Sequence, residues 1–123
     1  MSFKRRYPHE NMLMMIFYII FQEMQQAFEE TNDDDELKLL FNQSITDLIN
    51  TKFQYINKYD NLNPVYSLKS ACAYKLATLD TIINYFEELD VSQLSTKKTT
   101  ILDKINSGKS ACCFVSKYLV SQY

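Results

Sequence analysis

The residues best equipped for chemistry in this chain are few and scattered. They are three cysteines (Cys72, Cys112, Cys113), one histidine (His9), an acidic run (Asp33-Asp34-Asp35-Glu36) and a group of lysines (Lys97, Lys98, Lys104, Lys109). A nucleophilic cysteine needs a base within hydrogen-bond reach, and His9 meets that need only by folding back onto one of the thiols. Zinc would take a fourth ligand beyond the cysteines, for which His9 is the sole imidazole. Cys72 and Cys112 instead fall on apolar stripes, where a thiol behaves as a small hydrophobe. An odd number of unbridged cysteines suits a reducing, cytoplasmic setting.

The acidic run invites a calcium reading, but an EF-hand loop requires alternating ligands, a central glycine and a glutamate at its twelfth position. Here the acids are consecutive and lead straight into Leu37. They read as a helix cap and first turn, where negative charge meets the positive end of the helix dipole. No metal is therefore expected. The lysines are interrupted by Asp103, and a net charge of −2 argues against phosphate binding as the main task. No specific nucleic-acid binding is expected of them; they read as a solvated face.

Glycine supplies the sharpest exclusions, because Gly108 is the only one. Phosphate loops and dinucleotide fingerprints need several glycines so that backbone can approach phosphate, and a nucleophile elbow needs them beside its serine. A di-iron bundle needs inward Glu-x-x-His pairs, and His9 precedes the periodic region. No catalytic residue and no cofactor are assigned, and the chain reads as non-enzymatic.

With one glycine and two prolines in 123 residues, strand and turn punctuation is mostly missing. Long helices remain. The expected fold is all-α, an up-down-up-down antiparallel four-helix bundle forming a single domain, with helices at about 8–30, 34–59, 64–89 and 95–121. In the first, Leu13, Ile16, Phe17, Ile20, Met24, Ala27 and Phe28 share a face, while Met14, Met15, Tyr18, Ile19 and Phe21 make its middle apolar all round. The basic residues Lys4, Arg5 and Arg6 ahead of the apolar run Met12 to Phe21 imitate a secretion signal. The run is about half a bilayer span and no small-residue cleavage pattern follows, so a core helix is expected and no membrane span.

In the second helix, Leu37, Phe41, Ile45, Ile49, Phe53 and Ile56 step by three or four and are expected to face inward, with Leu40 and Leu48 widening the stripe. The third is expected to start at Asn63-Pro64 and to bury Leu68, Cys72, Leu76, Leu79, Ile83 and Phe86. The fourth carries Ile101, Ile105, Gly108, Cys112, Val115 and Leu119 in unbroken phase. That continuity predicts one helix through Gly108, with the glycine letting a neighbour approach closely; the alternative is two shorter helices.

Two surface features stand out. An up-down bundle brings the first and third connections to one end, which would gather Glu29, Glu30, Asp33, Asp34, Asp35, Glu36, Glu87, Glu88 and Asp90, with only Lys97 and Lys98 as relief. The opposite end would hold Lys4, Arg5, Arg6, Lys58 and Lys117. The chain also has nine tyrosines; Tyr74 and Tyr85 lie on a stripe of the third helix away from the core, Tyr55 and Tyr59 are one turn apart on the second, and these faces suit either an interface or a wide core that takes in ring edges.

These features point to a small acidic binding protein that sequesters or inhibits a protein partner. Its most concrete version is an immunity protein neutralising a basic toxin, with Glu29, Glu30, Asp33 to Glu36, Tyr85, Glu87 and Glu88 as the partner-binding residues. A second class is a groove-type regulator holding an amphipathic peptide, in the manner of small viral helical death regulators. Their diagnostic Asn-Trp-Gly-Arg run is absent, since the chain has no tryptophan. An open apolar groove would favour this class. A third is a homo-oligomeric structural protein, with a homodimer through the Met12–Phe21 helix.

Overall fold

The structure, a computed structural model, describes residues 8–59 and 70–121, with side chains over 11–55 and 72–117. Four α-helices fill it: α1 (Pro8–Glu30), α2 (Asp34–Tyr59), α3 (Ser70–Glu87) and α4 (Lys98–Ser121). A single 3₁₀ turn, Val91–Gln93, lies between α3 and α4. No strand occurs among the described residues. The expected start of the third helix at Asn63-Pro64, and Leu68, lie outside the described residues.

Cross-helix contacts fix the direction of each pair. On α1 and α4, Asn11 meets Ser116, Gln22 meets Lys109 and Phe28 meets Lys98, so residue number falls on one helix as it rises on the other. Lys75 over Phe114 and Lys104 over Tyr85 give the same sense for α3 and α4. Phe28 stacks edge-on against Phe41 across the short α1–α2 connection, at 4.9 Å between centroids. Lys52 pairs with Asp80 at 2.8 Å and donates to Asn84 at 2.8 Å, tying α2 to α3. Each sequential neighbour is thus antiparallel, and α4 closes on α1. This is the up-down-up-down bundle.

The ends of these helices follow from local chemistry. The Asp33 side chain accepts the Asp35 backbone N–H at 2.9 Å, capping α2, and Asp34, Asp35 and Glu36 fill the first turn. Asp90 caps the 3₁₀ turn, accepting from the Ser92 backbone N–H at 3.0 Å and its hydroxyl at 2.7 Å. These bonds from Ser92 hold the Asp90 carboxyl below its usual pKa. That turn drives Leu94 into the core and delays the start of α4 to Lys98.

One buried cluster draws on all four helices, with Phe17, Phe21, Met24, Phe41, Leu48, Ile83, Phe86, Ile101 and Ile105 among its fully enclosed members. The expected α3 and α4 stripes are inside: Cys72, Leu76, Leu79, Ile83 and Phe86, and Ile101, Ile105, Gly108, Cys112 and Val115. α4 passes through Gly108 unbroken. A Cβ built on that residue would lie 2.7 Å from the Phe21 ring, so bare backbone at Gly108 makes room for that ring between α1 and α4.

On α2 the inward face differs from expectation. Leu37, Phe41, Ser44, Leu48, Thr51 and Tyr55 are buried, whereas Ile45 and Ile49 are half-buried and Phe53 is 63% exposed. A step of four residues advances about 40° beyond a full turn, so successive fours spiral off the seam. The alternation of fours and threes through Ser44 and Thr51 averages 3.5 and stays on it. Two hydroxyls enter the core as a result; that of Thr51 is satisfied by donating to the Asp47 carbonyl at 2.7 Å. Tyr55, which the sequence leaves open between core and interface, is part of the core for the same reason.

Candidate binding surfaces

The two acidic connections meet. Asp34, Leu37 and Lys38 at the start of α2 line the same small recess as Val91, Ser92, Leu94 and Ser95. All eight predicted acids, Glu29, Glu30, Asp33, Asp34, Asp35, Glu36, Glu87 and Glu88, are exposed. Lys38 adds to the expected relief from Lys97 and Lys98, so nine of the fifteen acids face three lysines at this end. Lys98 is exposed, with its ammonium 5.7 Å from the centre of the Phe28 ring. Of the opposite group, Lys4, Arg5 and Arg6 lie outside the described residues.

Tyr85, the aromatic member of the predicted set, is turned inward. Its ring packs edge-on to Phe86 at 5.4 Å, Lys104 covers it at 5.3 Å, and its hydroxyl is buried with no hydrogen-bond partner. Tyr74 is the outward one, at 69% exposure.

The α4 lysines do not form a common outer row. Lys98 and Lys109 reach over α1, covering Phe28 and Tyr18, while Lys104 reaches over α3. Lys109 also donates to Gln22 and Gln25, so its ammonium bridges the α1–α4 seam.

Beyond that bridge, toward the C-terminal half of α4, the two helices leave a groove of about 680 Å³. Met14, Met15, Tyr18 and Ile19 form one wall, and Cys112, Cys113, Ser116 and Lys117 the other. Met15 and Ile19 are each about half exposed, and Met12 continues their line one turn earlier. Among the described residues, Tyr18, Ser116 and Lys117 bring polar groups to an otherwise apolar lining.

Comparison of the chain with family models, curated proteins and solved structures found no match.

The furrow on the other side of α1 has the opposite character. Glu23 and Asp47 face into it with Asn50, Thr51 and Gln54, and Glu30 lies further along. Ile19 is the ridge between the two sides, since it lines both. The molecule therefore offers an apolar channel with a lysine, a carboxylate-lined furrow and an acidic end.

The thiols divide by burial. Burial pushes the Cys72 thiol up to about 11 and, with Cys113 adding a smaller effect, the Cys112 thiol up to about 12. Both stay protonated across the physiological range, so neither offers a thiolate nucleophile. Cys113 is exposed on the groove wall. Among the described residues, no three histidine, cysteine or carboxylate side chains converge as metal ligands would, and no helix is long and apolar enough to cross a membrane.

Sequence reading located half of this groove. The all-round apolar middle of α1 marks a helix with more hydrophobic surface than one core can use. The other wall was missed: a hydrophobic pattern gives no sign that Cys113 and Lys117 stand beside a gap.

Proposed function

We propose that this chain is a non-enzymatic helical binding protein whose α1–α4 groove holds an apolar segment of a protein partner, and which regulates or blocks that partner by occupying the segment. The open groove itself carries the reading. Its walls expose Met15 and Ile19, side chains that gain roughly 25 cal/mol for each Å² removed from water. Methionine suits such a wall because its unbranched thioether reshapes around different partners. Helix-in-groove recognition uses this kind of surface.

The test is capture from the native cell with wild type, Met15→Glu and Ile19→Glu baits, followed by reconstitution with the purified partner. Both positions are half exposed, so the variants keep the core, as circular dichroism can verify. A partner held through the groove is lost by at least tenfold in affinity. Undiminished binding by both variants sinks the proposal.

A second reading is supported by the meeting of the two acidic connections. That end would dock on a basic protein, as an immunity protein docks on a nuclease toxin, presenting carboxylates where phosphates would sit. Asp34→Lys with Asp35→Lys would then abolish capture and its salt dependence, while Met15→Glu would leave both intact. The opposite pattern selects the groove.

A further inference from the structure

Resting on the groove reading, we propose that the groove's occupant is an acidic amphipathic helix, in which apolar anchors are flanked by aspartate or glutamate.

Three observations converge on that chemistry. The first is length. The lining spans Met14 to Ile19 on α1 and Cys112 to Lys117 on α4. Five residues rise about 7.5 Å, which suits two anchors one turn apart, about 6 Å from each other, rather than a long extended strand. The second is openness along one side. A groove that leaves its occupant half in water suits a macromolecular segment; small ligands are usually enclosed over most of their surface.

The third is charge. Among the described residues, Lys117 is the only charged one in the lining. Lys109, about two helical turns earlier on α4, lies 5.3 Å from the centre of the Tyr18 ring, and Tyr18 is itself a lining residue. Eight residues separate these lysines, about 12 Å along the helix. Among the described residues no carboxylate lines the groove; Glu23 and Asp47 belong to the furrow beyond the Ile19 ridge. A partner helix seated between α1 and α4 meets positive potential at both ends of its apolar contact. Acidic flanks are attracted there, and basic flanks are repelled.

The experiment uses the full chain and three synthetic helical peptides with identical leucine anchors at i and i+4, flanked by Glu, Gln or Lys. Fluorescence anisotropy reads the affinities. The Glu peptide should bind at least ~10-fold tighter than the Lys peptide, with Gln between, and most of that difference should vanish in 1 M salt, where charges are screened within about 3 Å. Lys117→Glu should remove most of the difference between the Glu and Lys peptides, since Lys109 alone then favours acidic flanks. Equal binding of all three peptides, weakened alike by Met15→Glu, keeps the groove as a docking site and overturns the acidic-partner inference. No binding, or binding that ignores Met15→Glu, overturns the groove reading as well. A concentration-dependent dimer abolished by Met15→Glu assigns the groove to a second copy, and displacement of a bound fluorescent fatty acid assigns it to lipid. Either outcome overturns the inference.

Discussion

Replacing Gly108 with alanine sets two effects of known size against each other. Alanine is favoured over glycine inside a helix by about 1 kcal/mol, and Gly108 lies mid-helix with no unusual backbone angle. Against this, the new Cβ would stand 2.7 Å from two atoms of the Phe21 ring and 3.0 Å from a third. Ordinary contact begins near 3.4 Å, so the ring must retreat by roughly 0.7 Å. Phe21 is fully buried, and its ring also packs against Phe86 at 6.2 Å, which leaves little room to yield. Overpacking of this kind costs about 1–3 kcal/mol. The expected net effect of Gly108→Ala is therefore a loss of about 0–2 kcal/mol, read by urea denaturation with the slope unchanged. The decisive measurement is a double-mutant cycle with Phe21→Leu. Removing the ring should make Gly108→Ala stabilising, with a coupling of about 1–3 kcal/mol. If Gly108→Ala stabilises the wild type by the full propensity gain and couples to Phe21→Leu by less than about 0.3 kcal/mol, the close approach of α1 and α4 is refuted.

Three further outcomes are expected. A thiol reagent should label Cys113 within minutes in the native protein and reach Cys72 and Cys112 only with unfolding, as mass spectrometry of the peptides can show. Because burial raises the Cys112 thiol from 9.0 to about 12, the unfolded chain loses that proton first as pH rises. Stability contributed by this group is thus complete below pH 9 and declines between pH 9 and 12, by up to about 1.4 kcal/mol per pH unit. Cys112→Ala should flatten that part of the stability–pH curve. Tyr85→Phe removes a buried hydroxyl that has no partner and should stabilise the protein by about 1 kcal/mol, measured by chemical denaturation; a comparable loss would mean the hydroxyl is bonded.

How much was legible beforehand depended on whether a residue's neighbours could be inferred from its own helix. The stripe from Cys72 to Phe86 was legible because its phase is single-valued, and α4 was legible through Gly108 because the apolar phase never slips. The face of α2 was not. Polar residues at 44 and 51 masked the true seam, and the more hydrophobic Ile45, Ile49 and Phe53 drew the reading to the side. The meeting of the acidic connections followed from topology alone, since alternating directions leave no other end for them. The groove required knowing which two faces stand apart, a property of the space between α1 and α4. Lys109 shows the same limit: its bridge to Gln22 and Gln25 joins residues more than eighty positions away.

The four seams of the bundle are unequal. α1 and α4 share the longest stretch of close packing, while α2 and α3 touch least, and the Lys52 clamp to Asp80 and Asn84 is prominent among their ties. The bundle is thus better pictured as a row of four, α2-α1-α4-α3, curled until its outer members brush. A paired spine of α1 and α4 carries the two lateral helices as wings. The apolar channel is cut into that spine, so whatever settles there touches the two helices that pack most extensively on each other and leaves the α2–α3 margin untouched.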